Sequence, residues 1–196
     1  FFENVPSFAV AENEEIDVPE FGGKVKFDVA YGGAFFAFVD AASIGLDCVA
    51  ENAARIQQAG TAILRAINER LTFKHPVEED LGFLYGIVFT DKPVRRRAGM
   101  ADTRQVTVFS EGCVDRSPTG MAICARLARM AGRGQSRQGQ QLTVEGILGH
   151  AFTGRIVAQV EDHGTPACIV EIEGRAWVTG RHTFFLDSED PCLEGF

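Results

Sequence analysis

Asp115-Arg116-Ser117-Pro118-Thr119-Gly120 runs straight into Met121-Ala-Ile-Cys-Ala-Arg-Leu-Ala-Arg-Met130. Pro118 keeps the residue before it out of a helix, and about three turns of good helix formers follow Gly120, so a helix starts at a defined point with bare backbone N–H groups. The positive end of its dipole favours a carboxylate, Gly120 lets a ligand approach the backbone, and the Thr119 hydroxyl stands at the mouth. Asp115, four residues earlier, can receive a cation. One small zwitterion would satisfy both charges, although the same residues also make an ordinary Thr N-cap behind an Asp-Arg turn.

Composition bounds what surrounds this helix. At 196 residues and 45% hydrophobic the chain can bury a core and is most simply one domain with a terminal extension. The formal net charge of −8 argues against a nucleic-acid partner. Arg95-Arg96-Arg97 is the one basic run, and a solvated loop accounts for it. No stretch reaches the roughly 18 consecutive apolar residues of a membrane span, so no membrane partner is expected. The five cysteines, an odd number with no zinc-type spacing, point to reduced thiols and a cytoplasmic setting. Cys48, Cys113, Cys124, Cys168 and Cys192 read as buried or incidental thiols. His75, His150, His163 and His182 are scattered and read as surface or capping residues. Ser117 lacks the frame of a hydrolase nucleophile.

The 21 glycines punctuate short apolar runs, which favours many short strands. Phe8 to Val18 reads as a strand pair. Lys24–Ala30 and Ala34–Val39 read as strands meeting at a tight Gly32-Gly33 corner, and Gly86–Thr90 and Gln105–Phe109 as two more. Glu51–Leu71 changes to helical period and is the outer amphipathic helix. The Gly120–Met130 helix is small or apolar on most faces and is expected to be buried. Beyond the Gln135–Gln141 loop, strands are expected at Leu142–Leu148, Phe152–Val160, Cys168–Ile172 and Arg175–Thr179. The expected picture is a sheet wrapped round one inward helix whose amino end opens to a cleft.

The DRSPTG string with its small-residue helix resembles the second active-site motif of the proline racemase family, usually DRSPCG with a catalytic cysteine where this chain has Thr119. Asn4-Val-Pro-Ser-Phe8, Asp28-Val-Ala-Tyr-Gly-Gly33, His75-Pro76, Phe152-Thr-Gly154 and Ala176-Trp-Val-Thr-Gly180 through Leu186-Asp187 to Gly195-Phe196 are similar to the family in the same order. The resemblance implies an α+β fold: half of a diaminopimelate-epimerase-like architecture, with a mostly antiparallel, barrel-like sheet around a central helix. It implies that residues 1–178 form the second, carboxy-terminal domain with its crossover strand. Residues 179–196 would then return toward a first domain of the same polypeptide. The first domain's Met-Cys-Gly-His-like string does not occur in this sequence. Tail aromatics Phe184, Phe185 and Phe196, left uncovered, would be free to mediate assembly, a homodimer included.

For the site, the resemblance implies a small imino acid, hydroxyproline or proline, handled without a cofactor or metal. Its carboxylate would lie on the amides of Gly120 and Met121 and its ring nitrogen on Asp115. Phe109, six residues before Asp115, reads either as a wall for the apolar face of the ring or as a core phenylalanine. Gly120-Met121-Ala122 departs from the family's usual Gly-Thr-Gly by placing a bulky side chain near the pocket. Thr119 would be the catalytic residue. Its hydroxyl is too weak an acid to return a proton to a carbanion readily, but it can hydrogen-bond a departing 3-hydroxyl. The resemblance therefore points first to the trans-3-hydroxy-L-proline dehydratase branch. A 4-hydroxyproline epimerase or proline racemase with an unusual acid, and a non-catalytic imino-acid-binding domain, are the alternatives.

Overall fold

The computed structural model describes residues 1–91 and 102–192. The arginine run 95–97 and the last four residues therefore lie outside the described residues. Nine strands form one sheet: β1 (Phe2–Glu3), β2 (Phe8–Val18), β3 (Gly23–Tyr31), β4 (Phe35–Asp40), β5 (Leu84–Thr90), β6 (Thr103–Phe109), β7 (Gln141–Glu145), β8 (Ala151–Asp162) and β9 (Thr165–Glu173). They lie in the order β1-β9-β8-β7-β6-β5-β4-β3-β2. The pairings are antiparallel except β4 with β5 and β6 with β7.

The two ends of that order are joined by one run of chain. Residues 2–7 lie along β9 and the same run continues as β2, which pairs with β3. Ser7 and Cys168 exchange N–H to carbonyl hydrogen bonds of 2.9 Å in both directions. The sheet thus curls back on itself, with the α-helix α2 (Gly120–Gly132) inside and α1 (Ala53–Asn68) outside. This is the expected α+β architecture.

Small residues set how closely the layers approach. A Cβ on Gly60 of α1 would lie 2.5 Å from Val108 of β6. One on Gly154 of β8 would lie 2.6 Å from Ile123 of α2, so each glycine admits a helix onto the sheet. β4, β5 and the second half of β3 are buried on both faces. Phe35, Ala37, Val39, Ile87 and Phe89 face the α1 side, while Ala30, Phe36, Phe38 and Val88 pack with Ala122 and Ala125 of α2. Strands covered on both sides read as continuous apolar runs, which is why Ala34–Val39 shows no alternation. At the far end of α2, Arg129 and Arg133 hold Asp28 of β3 at 2.6 and 2.7 Å.

Several expected elements differ. Phe8–Val18 is one strand, not a pair; Asn13 at φ +56 takes up an irregularity in the register with β3 instead of turning the chain. Leu142–Leu148 shortens to β7, because Gly146 and Gly149, bonded N–H to carbonyl at 3.0 Å, turn the chain into β8. Arg175–Thr179 is not a strand. The outer edge of β9 is already taken by β1, so the tail finds no ladder in this chain, and Trp177, Val178, Phe184, Phe185 and Leu186 are exposed. Among the described residues no helix is long and apolar enough to cross a membrane.

Candidate active site at the start of the buried helix

After β6 the chain turns back at Gly112, whose φ of +78 suits glycine, and returns along the same strand. Val114 bridges Val108, and the Asp115 N–H donates to the Thr107 carbonyl at 2.9 Å. This return sets Asp115 beside the inner face of β6, which carries Gln105, Thr107 and Phe109.

From there the hexapeptide closes on itself. Asp115 Oδ1 accepts the Ser117 N–H at 2.8 Å, and Asp115 Oδ2 accepts the Thr119 hydroxyl at 2.7 Å. Ser117 Oγ accepts the Thr119 N–H at 3.1 Å. Gly146 lies against the turn, where a Cβ would come within 2.9 Å of Pro118 N.

Thr119 is the N-cap of α2, but not the ordinary one that its residue type suggests. Its side chain makes no capping bond; the hydroxyl goes to Asp115 instead. Its backbone sits at φ +61, ψ 97, a combination that a β-branched residue avoids and that costs of order 1–3 kcal/mol. The first intrahelical bond runs from Ile123 N–H to the Thr119 carbonyl at 3.1 Å. Among the described residues the N–H groups of Gly120, Met121 and Ala122 have no hydrogen-bond partner. Three bare amides at the positive end of a helix can hold an anion.

The expected site residues fall together here. Thr119 is 5% exposed, while Asp115, Gly120, Met121 and Phe109 are half-buried around it. Phe109 stacks obliquely on Tyr85, centroids 5.1 Å apart, and both pack with Met121 and the buried Ala122. Met121 lies over Gly33, its Sδ 3.2 Å from where a Cβ would be, and Gly32 meets the Met121 carbonyl and the Ala125 N–H. The Gly32-Gly33 corner is therefore the seat for the first turn of α2.

The expected cleft is none of the hollows of 750, 430 and 540 Å³, whose linings do not include Thr119. Sequence reading missed Tyr85 and Gln105. The first carries no motif, and the second is drawn in only by the fold, its Nε2 donating to the Pro118 carbonyl at 2.7 Å.

The other candidates stay apart from this centre. Cys48, Cys124 and Cys168 are buried, and desolvation pushes Cys168 up to about 11, Cys124 up to about 12 and Cys48 higher still, so all three remain thiols. Cys113 and Cys192 are exposed. His75 Nδ1 accepts the Val77 and Glu78 N–H groups, a local cap. Among the described residues no cluster of histidine, cysteine and carboxylate side chains could hold a metal ion.

The comparisons agree with this fold. The family model described as proline racemase matches residues 1–196. Trans-3-hydroxy-L-proline dehydratases of Colwellia psychrerythraea and Homo sapiens are each 37% identical over the whole chain, which covers 54% of each of them. A proline racemase of Clostridioides difficile is 34% identical over the whole chain, which covers 57% of it. The crystal structure of a hydroxyproline epimerase from Agrobacterium vitis, with bound trans-4-hydroxy-L-proline, superposes with a TM-score of 0.86 at 34% identity. That match covers 99% of this chain and 54% of that one. The chain thus spans about half the length of the curated relatives it matches. Motif, fold and similarity along the full sequence agree: this chain belongs to the proline racemase family.

Proposed function

We propose that this chain is the carboxy-terminal half of a cofactor-independent hydro-lyase that removes water from trans-3-hydroxy-L-proline. The observation that carries the proposal is Thr119: a side-chain alcohol in the family's cysteine position, strained at a helix start and hydrogen-bonded to a carboxylate. Residues 1–178 are the second domain. The exposed tail from 179 onward, with Phe184, Phe185 and Leu186, is the segment that packs on the first domain. Whatever base abstracts the α-proton comes from that domain.

In this reading the substrate carboxylate takes the amides of Gly120 and Met121, and its ring ammonium takes Asp115. Phe109 walls the apolar face of the ring. The arriving ammonium competes for the carboxylate that holds the Thr119 proton, freeing the hydroxyl to turn toward the substrate 3-hydroxyl. Loss of the α-proton leaves an electron pair that becomes the Cα–Cβ double bond as the Cβ–O bond breaks. The departing hydroxide and the abstracted proton together make the released water, and the enamine tautomerises to the cyclic imine Δ1-pyrroline-2-carboxylate. Fixed amides at the carboxylate stabilise the charge that builds there, and a second domain closing over the site excludes water.

Incubating the full-length enzyme with trans-3-hydroxy-L-proline tests this: a cyclic imine lighter by one water is expected, and its absence discards the dehydratase reading. The bound trans-4-hydroxy-L-proline in the Agrobacterium vitis epimerase favours a second reading, epimerisation. Incorporation of solvent deuterium at the α-carbon with inversion would select it. A binding-only domain would take up pyrrole-2-carboxylate in calorimetry and turn nothing over.

A further inference from the structure

The peptide unit joining Pro118 to Thr119 is pinned at both ends. Its carbonyl accepts from Gln105 Nε2 at 2.7 Å, and its N–H donates to Ser117 Oγ at 3.1 Å. A backbone conformation as unfavourable as that of Thr119 persists only where its surroundings over-determine it. The Ser117 contact belongs to the hexapeptide itself. Gln105 comes from β6 and is fully buried, so it is the fixed point against which the turn is held.

Behind Gln105 stands Arg126, in the second turn of α2 and 3% exposed. Its Nη1 donates to Gln105 Oε1 at 3.1 Å and its Nη2 to Thr103 Oγ1 at 3.0 Å, with longer contacts to the Arg104 and Asp91 carbonyls. Among the described residues no carboxylate lies within ion-pair distance, and its Nε has no partner. Burial lowers the Arg126 guanidinium to about 10, which still leaves it charged at neutral pH. A buried cation served by neutral acceptors is a poor choice for stability alone. What it does supply is direction. Arginine can only donate, so it holds the oxygen of the Gln105 amide toward itself and leaves the NH2 group facing Pro118.

We infer that Gln105, oriented by Arg126, is a positioning residue that holds Thr119 in the conformation presenting its hydroxyl to Asp115 and to the substrate. The inference rests on the reading of Thr119 as the hydroxyl that acts in the reaction. The relay reaches the hydroxyl but not the anion seat, because the amides of Gly120 and Met121 belong to the helix itself.

The test uses Gln105→Met and Gln105→Glu in the polypeptide carrying this chain together with its proposed first domain. The glutamate variant keeps a partner for Arg126, and with it the fold, while removing the donor that faces Pro118. The 13Cα and 13Cβ chemical shifts of Thr119 report its backbone angles without any turnover. They are expected to move toward ordinary values in both variants. Turnover of trans-3-hydroxy-L-proline, taken per folded enzyme, is expected to lose about a hundredfold in kcat, the scale of a misplaced reacting group. KM is expected to stay within about threefold, as for loss of an interaction outside ground-state binding. Unchanged Thr119 shifts would overturn the inference, and so would shifts that move while kcat holds. If the unsubstituted enzyme has no turnover, the dehydratase reading fails, while the shifts still decide whether Gln105 holds Thr119.

Discussion

Asp115 Oδ2 accepts the hydroxyl proton of Thr119 at 2.7 Å, while the other oxygen of the same carboxylate accepts the Ser117 N–H. One carboxylate therefore shapes the turn and commits the proton of the alcohol. Asp115→Asn keeps an oxygen for Ser117 but turns an NH2 group toward Thr119 and removes the charge offered to a ring ammonium. A loss of about a hundredfold in kcat/KM is expected, the scale of a charge-assisted hydrogen bond. Steady-state kinetics of the full-length enzyme check it, with thermal unfolding as the control for fold.

Thr119→Cys restores the residue usual to the family and a group that titrates near neutrality. Exchange of the α-proton with solvent deuterium should rise, and dehydration should fall by about tenfold or more, the scale of a lost acid–base contact. Proton NMR in deuterium oxide follows both on one sample. Retained dehydration without added exchange would show that the alcohol takes no part.

Gly32→Ala tests the seat of α2. The added Cβ would collide with the Met121 carbonyl oxygen and lie 2.6 Å from the Ala125 nitrogen, and backbone cannot step aside as a flexible side chain can. Destabilisation of about 3 kcal/mol in urea unfolding is expected. A change below about 0.5 kcal/mol, the size of an ordinary surface substitution, would mean that the helix does not press on this corner.

Asp28 contributes to stability in acid. Burial alone would raise its carboxyl, but the Asn13 N–H and the guanidiniums of Arg133 and Arg129 outweigh that and hold it below its ordinary 3.8. A carboxyl depressed in the folded state stabilises above its unfolded value and loses that contribution as pH falls through the folded one. Stability should therefore decline below about pH 4. Asp28→Asn should cost roughly 3 kcal/mol at neutral pH, because it strips half-buried arginines of their partner, and should flatten the decline in acid. Urea midpoints from pH 7 down to about pH 3, spanning the ordinary carboxylate range, measure both.

Thiol reactivity reads the layers independently. Cys113 and Cys192 are exposed while Cys48, Cys124 and Cys168 are buried thiols held protonated. Mass spectrometry after brief alkylation should find only the exposed pair labelled, and all five only after unfolding. Fast labelling of Cys168 would contradict the closure of β9 onto Ser7.

The hexapeptide was legible because its residue types are local: proline, hydroxyl and glycine before a run of helix formers mark a helix start wherever they occur. The strands of the closed sheet were legible for the same reason, each bounded by its own punctuation. What was lost depends on partners far along the chain. Residues 175–179 carry strand-like side chains, yet no free ladder remains for them once β1 lies on β9. Asn13 looks like a turn residue, yet it serves an irregularity whose N–H is claimed by Asp28. Gln105 and Arg126 meet only because β6 and α2 are neighbours in space. The positive φ of Thr119 left no mark on the sequence, because glycine, the residue that announces such angles, stands one place later.

The run from Phe2 to Val18 acts as the clasp of the sheet. Trimming residues 1–7 would bare the whole outer rim of β9 and open the seam at Cys168, leaving two unsatisfied backbone margins of a kind on which other copies can stack. A molecule shortened in this way should polymerise before it melts. This amino-terminal run would then have a second duty, keeping its own barrel from sticking to its neighbours.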